Sequence, residues 1–161
     1  MIEYYCIKDS AQISVTDKEG KVKYTQCIDD LITNAGFAAV AGLLLIDVGG
    51  TAFDYLAIGT GTISATITDT TLGTEVSRKA ATGTRVTIAV ANDTAQWVVS
   101  FSSLDAGCDG TLVIAEFGIF NHSSAGTMLC RQVTIAPDSV KFTPDGDTIN
   151  LTMRVQIKQG A

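Results

Sequence analysis

The chain has 161 residues, 46% of them hydrophobic and 17% charged, and its formal net charge is −6. This length favours one folded domain, and an acidic balance without a basic stripe excludes a direct nucleic-acid partner. The longest apolar run, Ala35 to Ile46, is too short to span a membrane. No secretion signal is visible at the N-terminus, so we expect neither a membrane partner nor export.

The N-terminal segment has the pattern of a β-hairpin. Residues 3–8 and 11–16 resemble two short strands, and apolar and polar residues alternate again over residues 21–26. Between them, Asp-Lys-Glu-Gly at residues 17–20 is typical of a tight turn, because Gly20 adopts positive φ without steric cost. We therefore predict a hairpin over residues 1–26.

One helix is predicted over residues 27–45. Apolar residues recur there at steps of three and four, and Asp29 and Asp30 fall in the first predicted turn. Gly36 and Gly42 lower the helix propensity of the segment. Its many alanines and glycines favour close packing against a sheet or against another copy of the chain.

The rest of the chain alternates in the manner of strands. Turn clusters of Gly, Asn, Asp and Ser separate apolar-polar runs over residues 84–90, 96–102, 111–120, 127–135 and 148–158. We predict a mainly β fold, an antiparallel β-sandwich of jelly-roll-like form, with a squashed barrel as the alternative. The side chains expected to face inwards are Trp97, Val99, Phe101, Ile149, Leu151, Met153, Val155 and Ile157.

A strand-like run, a small-residue loop and an acidic, Thr-rich turn follow one another between Phe53 and Arg78. The Gly-Thr-Gly-Thr sequence at residues 59–62 lacks the third glycine of a dinucleotide-binding loop and the lysine of a P-loop. We interpret these glycines as a turn or a close backbone approach, and residues 69–76 as one helical turn. Asp-Val-Gly-Gly-Thr at residues 47–51 matches the phosphate loop of sugar kinases, but the chain is too short for that two-lobed enzyme.

No group of residues predicts a catalytic, metal or cofactor site. His122 is the only histidine, and among Asn and Ser in a predicted hairpin tip we expect it to be a solvated turn residue. The cysteines lack the spacing of zinc ligands. We expect them to be reduced and buried as small hydrophobic residues: Cys6, Cys27, Cys108 and Cys130.

One charged residue interrupts the most apolar predicted strand. Glu116 lies within Leu-Val-Ile-Ala-Glu-Phe-Gly-Ile-Phe, residues 112–120, where an unpaired buried charge would be costly. A hairpin centred near residues 123–124 would bring it opposite Arg131 or Gln132. We therefore predict an ion pair between Glu116 and Arg131 that is structural and not catalytic.

Four segments occur in an order that resembles a known group of proteins. They are Tyr-Leu-Ala-Ile-Gly-Thr-Gly-Thr (55–62), Thr-Asp-Thr-Thr-Leu-Gly-Thr-Glu-Val-Ser-Arg (68–78), Glu-Phe-Gly-Ile-Phe-Asn (116–121) and Gly-Thr-Met-Leu-Cys-Arg (126–131). Together with the closing strand after residues 147–149, they resemble small virion proteins of tailed bacteriophages, of the head-decoration and tail-fibre kind. The similarity covers residues 30–158.

The resemblance implies a non-enzymatic β-sandwich that assembles on a virion in the host cytoplasm. A capsid cement protein of this kind is a homotrimer that binds the major capsid protein and stabilises the head. The alternative is a tail or tail-fibre component that contacts other tail proteins or a host surface glycan. Exposed aromatic side chains at loop tips are expected for glycan binding.

The predicted hairpin over residues 1–26 lies outside this resemblance. An attachment arm beside a sandwich domain over residues 27–161 is one interpretation of it. Its strands could extend the sheet of a neighbouring protein. The candidate interface residues are Tyr4, Tyr5, Ile7, Ile13 and Val15.

Overall fold

Two antiparallel five-stranded sheets and one short helix make up the fold within the residues described by a computed structural model of the chain. These are residues 5–29, 31–45, 50–108, 111–134, 140–143 and 146–159, with the backbone alone for residues 5–9, 158 and 159. The two sheets enclose a shared apolar core. The predicted mainly β sandwich with one short helix is confirmed.

The sheets mix strands from both halves of the chain. The first sheet has the order β2-β1-β10-β7-β6, and the second has the order β3-β9-β8-β4-β5. The strands are β1 (Tyr5–Thr16), β2 (Val22–Ile28), β3 (Leu31–Ile32), β4 (Tyr55–Gly59), β5 (Glu75–Ala80), β6 (Thr82–Val86), β7 (Thr94–Ser102), β8 (Glu116–Phe120), β9 (Met128–Val133) and β10 (Thr148–Gln159), and the helix is α1 (Asn34–Leu43).

The first sheet places β1 between β2 and β10. Its register with β10 runs from the pair Tyr5↔Gln159 to the pair Thr16↔Thr148. The predicted hairpin of β1 and β2 is present, but it is part of a sandwich sheet, so the division into residues 1–26 and 27–161 does not follow the fold. Local sequence indicated the hairpin correctly and could not indicate that its other neighbour is the last strand.

Burial corrects two predictions about individual side chains. Ile13 and Val15, predicted at an interface, are 0% and 2% exposed because they face the core from an interior strand. Ile157, predicted in the core, is 57% exposed near the end of β10. The other inward-facing residues predicted on β7 and β10 are buried, including Trp97 and Phe101.

The helix begins seven residues later than predicted, at Asn34 and not at Cys27. Cys27 still belongs to β2, and a two-residue strand, β3, precedes the helix. The Thr33 hydroxyl accepts a hydrogen bond from the Gly36 N–H at 3.0 Å and so caps the first turn. The predicted stripe of apolar residues therefore mixed strand and helix positions, and Asp29 is not in the first turn.

α1 lies unusually close to β9. A Cβ atom placed on Gly36 would overlap the backbone carbonyl of Leu129, closer than real Cβ contacts come. Because the obstacle is backbone, it cannot rotate away as a side chain can. The predicted close packing of a small-residue helix against a sheet is confirmed.

We expect Gly36→Ala to destabilise the protein by about 1–3 kcal/mol through overpacking against Leu129. We expect this loss of stability even though alanine is more favourable than glycine in a helix by about 1 kcal/mol. Urea unfolding followed by far-ultraviolet circular dichroism measures the effect. Gly83→Ala is the matched control, because a Cβ there meets nothing closer than 3.8 Å. Equal stability of the two variants would contradict the close helix–sheet contact.

Candidate functional site

A long connection without regular secondary structure, residues 60–74, joins β4 to β5; we call it the clamped loop. Its two ends meet, since the Thr60 N–H donates to the Thr74 carbonyl at 2.9 Å. This connection contains the Gly-Thr-rich sequence and the acidic turn noted above. It therefore carries parts of two of the four segments on which the resemblance is based.

The carboxylate of Glu116 lies under this loop. Glu116 is the first residue of β8 and is 0% exposed. Its oxygens accept backbone N–H groups of the loop at 2.9 Å from Gly61, 2.8 Å from Gly73 and 2.6 Å from Thr74. One carboxylate thus satisfies three amides at both ends of the loop, which ties the ends to β8.

Arg131 on β9 completes the arrangement from the other side. Its Nε donates to Glu116 at 2.9 Å, and a second guanidinium nitrogen donates to Asp69 at 2.7 Å. The third guanidinium nitrogen donates to the carbonyl of Ile63 at 3.0 Å. We call Glu116, Arg131 and Asp69 the loop clamp, because together they hold the clamped loop at its ends and at its middle.

The predicted ion pair between Glu116 and Arg131 is present, in a register that differs from the predicted one. Glu116 is opposite Val133, and Arg131 is opposite Gly118. The register shifts between Ile119 and Phe120, an irregularity that hairpin counting does not foresee. The two side chains still share a face, because residues two apart on a strand do so.

The clamp holds its three groups in their charged forms. Burial alone would raise the pKa of Glu116, but hydrogen bonds from the Thr74 and Gly73 amides and from Arg131 lower it below its ordinary value. Burial opposes charge on Asp69 too, and bonds from Thr66 and Arg131 lower the pKa of its carboxyl. Burial would lower the pKa of Arg131, and its two acidic partners raise it.

The glycines of the Gly-Thr-Gly-Thr sequence allow the loop to approach the buried carboxylate. A Cβ on Gly61 would lie 2.5 Å from a Glu116 oxygen, and a Cβ on Gly59 would also collide with Glu116. This confirms the interpretation of these residues as a close backbone approach. The loop amides bind a carboxylate of the same chain.

The outside of the clamped loop presents two apolar side chains. Ile63 is 79% exposed and Ile67 is 51% exposed, and the loop is uncharged from residue 60 to residue 68. Sequence reasoning missed both residues, and its helical turn over residues 69–76 is wrong, because residues 69–74 have no regular secondary structure and β5 begins at Glu75. The signal that could have identified them is the presence of large apolar residues within a run of Gly, Ser and Thr, because loops of that composition are otherwise polar.

The remaining predicted site residues are dispersed over the described structure. His122 is exposed in the turn between β8 and β9, as predicted, and its ring nitrogen contacts the Ser124 carbonyl. Cys108 and Cys130 are buried, whereas Cys27 is exposed. The backbones of Tyr5 and Ile7 lie in β1, while Tyr4 and most of the sugar-kinase-like sequence at residues 47–51 lie outside the described residues.

Two features are absent from the described residues. No cluster of three or more His, Cys, Asp or Glu side chains with the geometry of a metal site occurs there. No helix in the same residues has the length and apolar character of a membrane span.

A second concave feature, an open cavity of about 520 Å³, lies between the inner face of the first sheet and α1. Most of its lining is apolar, including Trp97, Leu43 and Val155. Asp54 and Arg85 are the charged residues among its described lining residues. The cavity therefore presents a mainly apolar surface with these two charged residues in its lining.

We expect Glu116→Ala to destabilise the protein by about 3–5 kcal/mol, because it leaves Arg131 and three amides without their shared acceptor. Thermal unfolding measures the loss. Hydrogen exchange should also speed up selectively at the amides of Gly61, Gly73 and Thr74. Lys18→Met is the control, because Lys18 and its partner Glu19 are each 65% exposed at a 3.8 Å separation. A melting temperature within a degree of that control would count against the clamp.

Stability should also fall with acid. Glu116 and Asp69 have folded pKa values below the ordinary 4.5 and 3.8. Between the folded and the unfolded pKa of each carboxyl group, the unfolded chain therefore binds more protons than the folded chain. The contribution of these groups to stability is complete above about pH 5.5 and is lost as the pH falls through their folded pKa values. Urea unfolding from pH 7 to pH 3 should give a shallower pH dependence for Glu116→Gln than for the natural protein or for the surface variant Glu19→Gln. If the unfolding free energy of both variants and of the natural protein had the same pH dependence, Glu116 would not be the source of the loss in acid.

Comparison of the chain with protein-family models, with curated proteins and with solved structures finds no match in any of the three. Function is therefore inferred from the geometry of the loop clamp, from the exposed residues it supports and from the order of the sequence motifs.

Proposed function

We propose that this chain is a virion structural protein: a capsid decoration, or cement, protein that binds the major capsid protein of a tailed phage and stabilises its head. It acts without catalysis or a cofactor and assembles as a homotrimer on the particle in the host cytoplasm. The observation that carries the proposal is the clamped loop, which is rigidly held, is uncharged from residue 60 to residue 68 and presents two exposed isoleucines.

The segments that resemble phage virion proteins form one structural unit. Residues 55–62 and 68–78 supply β4, both ends of the clamped loop and the start of β5. Residues 116–121 and 126–131 supply β8 and most of β9. These four strands are consecutive neighbours, β9-β8-β4-β5, in the second sheet. The resemblance thus concerns four contiguous strands of the second sheet and their loop, together with β10 of the first sheet, which supports transferring a role in assembly.

The clamped loop has the properties of a preformed protein-binding element. Because Glu116 and Arg131 already fix the backbone, a partner need not supply the free energy of ordering it. Exposed apolar side chains surrounded by small polar ones resemble the centre and rim of an interface. Ile63 and Ile67 are therefore assigned as the contact to the major capsid protein.

The tail alternative has weaker support. A glycan-binding surface needs exposed aromatic rings, and Phe37 is the one aromatic residue classed as exposed in the described part of the chain. Phe37 lies on α1 and not at a loop tip. Trp97 is buried in the sandwich and donates its indole N–H to the Phe53 carbonyl.

The first experiment is to mix purified protein with phage heads assembled without it and to heat the heads. We expect stoichiometric binding and a rise in the temperature at which the heads rupture. Binding to isolated tails or to host cells, with none to heads, would replace the cement role by the tail role. Binding to none of the three would refute a virion function.

A variant series locates the contact. Ile63→Asp combined with Ile67→Asp should reduce head binding at least tenfold without lowering the melting temperature, because both side chains are on the surface. Leu104→Asp is the control, since Leu104 is 89% exposed in a different loop. Unchanged binding by the double variant would move the contact away from the clamped loop.

A further inference from the structure

The edges of the two sheets differ in how well they are protected against pairing with another chain. The edge strands are β2 and β6 in the first sheet and β3 and β5 in the second. An edge strand directs alternate N–H and C=O groups away from its neighbour, where a further strand can pair with them. β3 has only two residues, whereas β2 and β5 each contain a lysine and pair through a register shift. Shortness, lysines and bulges are features that discourage such pairing.

β6 (Thr82–Val86) has none of these features. It pairs with β7 over five consecutive residues without a register shift, and it contains neither lysine nor proline. Its first four residues are exposed, and no described strand pairs with its outer edge. Gly83 in the middle of β6 is also informative, because a glycine inside a strand often marks a place where another backbone approaches closely. β6 is therefore the edge that is open to a further strand.

The open cavity described above adjoins this edge. Gly83 and Arg85 of β6 line it, together with Val40 and Leu43 of α1 and with Trp97. A Cβ atom placed on Gly83 would lie 3.8 Å from the indole ring of Trp97, so the ring is next to the gap that the glycine leaves. Side chains that are directly opposite each other on paired strands share a face of the sheet. A strand added to β6 would therefore direct its side chain opposite Gly83 toward Trp97 and the cavity.

The same edge presents a cation without a partner. Arg85 is on the same face of β6 as Gly83, because alternate residues of a strand share a face. Its guanidinium has no hydrogen bond or ion pair with any described residue. Asp54, the other charged residue of the cavity, lies near the start of β6, because its carbonyl accepts the Ala81 N–H at 2.8 Å. Arg85 is four residues further along, about 13 Å in an extended strand, so Asp54 does not neutralise it.

We propose that β6 and the adjoining cavity bind an extended segment of a partner protein, which joins the first sheet as an additional antiparallel strand. The segment has an acidic residue opposite Arg85 and, two positions later, a large apolar residue opposite Gly83. The apolar side chain enters the cavity beside Trp97. The backbone edge supplies affinity for any extended chain, whereas the cavity and Arg85 supply specificity for this pair of side chains.

The chemistry of the edge favours such a segment over other occupants. A second copy of β6 has the sequence Thr-Gly-Thr-Arg-Val, which contains no acidic residue for Arg85 and no large apolar residue two positions from one. A small apolar molecule would fill the cavity but leave the strand edge and the guanidinium unpaired. The proposal uses no residue of the clamped loop, so it does not depend on the cement role.

The first test is a titration of the full-length protein with the end-blocked peptide Thr-Thr-Glu-Thr-Phe-Thr-Thr, followed by amide NMR. We expect saturable shifts at up to about 2 mM peptide, concentrated on β6, on Trp97 and on the end of α1. Peptides with Lys in place of Glu, or with Thr in place of Phe, should bind about tenfold more weakly. Absence of saturable shifts, or shifts centred on another part of the protein, overturns the proposal.

Methylation of the peptide backbone separates strand pairing from simple occupation of the cavity. Alternate amides of a strand point to the same edge, so methyl groups on alternate nitrogens block one edge of the peptide and leave the other free. Methylation in one of the two alternating patterns should abolish binding, and the other pattern should retain it. Equal binding by the two methylated peptides means that only side chains are recognised, which overturns the proposed added strand.

Charge reversal tests the role of Arg85. Arg85→Glu should weaken binding of the Glu peptide and strengthen binding of the Lys peptide, each by about tenfold. Lys18→Glu is the matched control, because it makes the same charge change at a side chain that is 65% exposed in the β1–β2 turn. Thermal unfolding checks that both variants are folded. An Arg85→Glu variant that keeps the natural preference for the Glu peptide overturns the proposal. None of these measurements uses phage heads, so their outcome is separate from that of the head-binding experiment.

Discussion

The buried pair of Glu116 and Arg131 is the interaction on which the second sheet and its long loop depend. Neither charge is tolerable in the core alone, and each is fully bonded only because the loop folds back over the sheet. The pair therefore requires one loop conformation instead of merely permitting it. A polar network of this kind contributes uniqueness of structure, whereas the surrounding apolar core contributes most of the stability.

The separation along the sequence between Glu116 and each of its partners determines how much of this site could be predicted. A glutamate within an apolar strand, followed by a turn and an arginine, was sufficient to predict the pair, because the partner is on the next strand. Asp69 and the loop amides were not predicted, since they approach from a connection more distant along the chain. The bulge between Ile119 and Phe120 likewise leaves no pattern of alternation that reveals it.

The fold shows the same division between local and distant information. Alternation correctly identified the buried face of β7, where Trp97 and Phe101 point to the core. It failed at Ile157, because the same pattern continues along β10 to a position where burial is incomplete. It also failed to place β1, whose partner β10 is at the other end of the sequence. Periodicity indicates which face is apolar, but only the assembled sheets determine whether that face is covered.

The pairing of β1 with β10 has a consequence for how the protein is made. The second sheet consists of strands from residues 31–133, so all of its strands are synthesised before β10. The first sheet lacks its middle strand until β10 emerges, which leaves β2-β1 and β7-β6 as separate hairpins with open edges. Contacts of such long sequence separation form slowly. Newly made chains of this protein should therefore depend on chaperones until β10 joins the first sheet, because the two hairpins of that sheet remain separate until then.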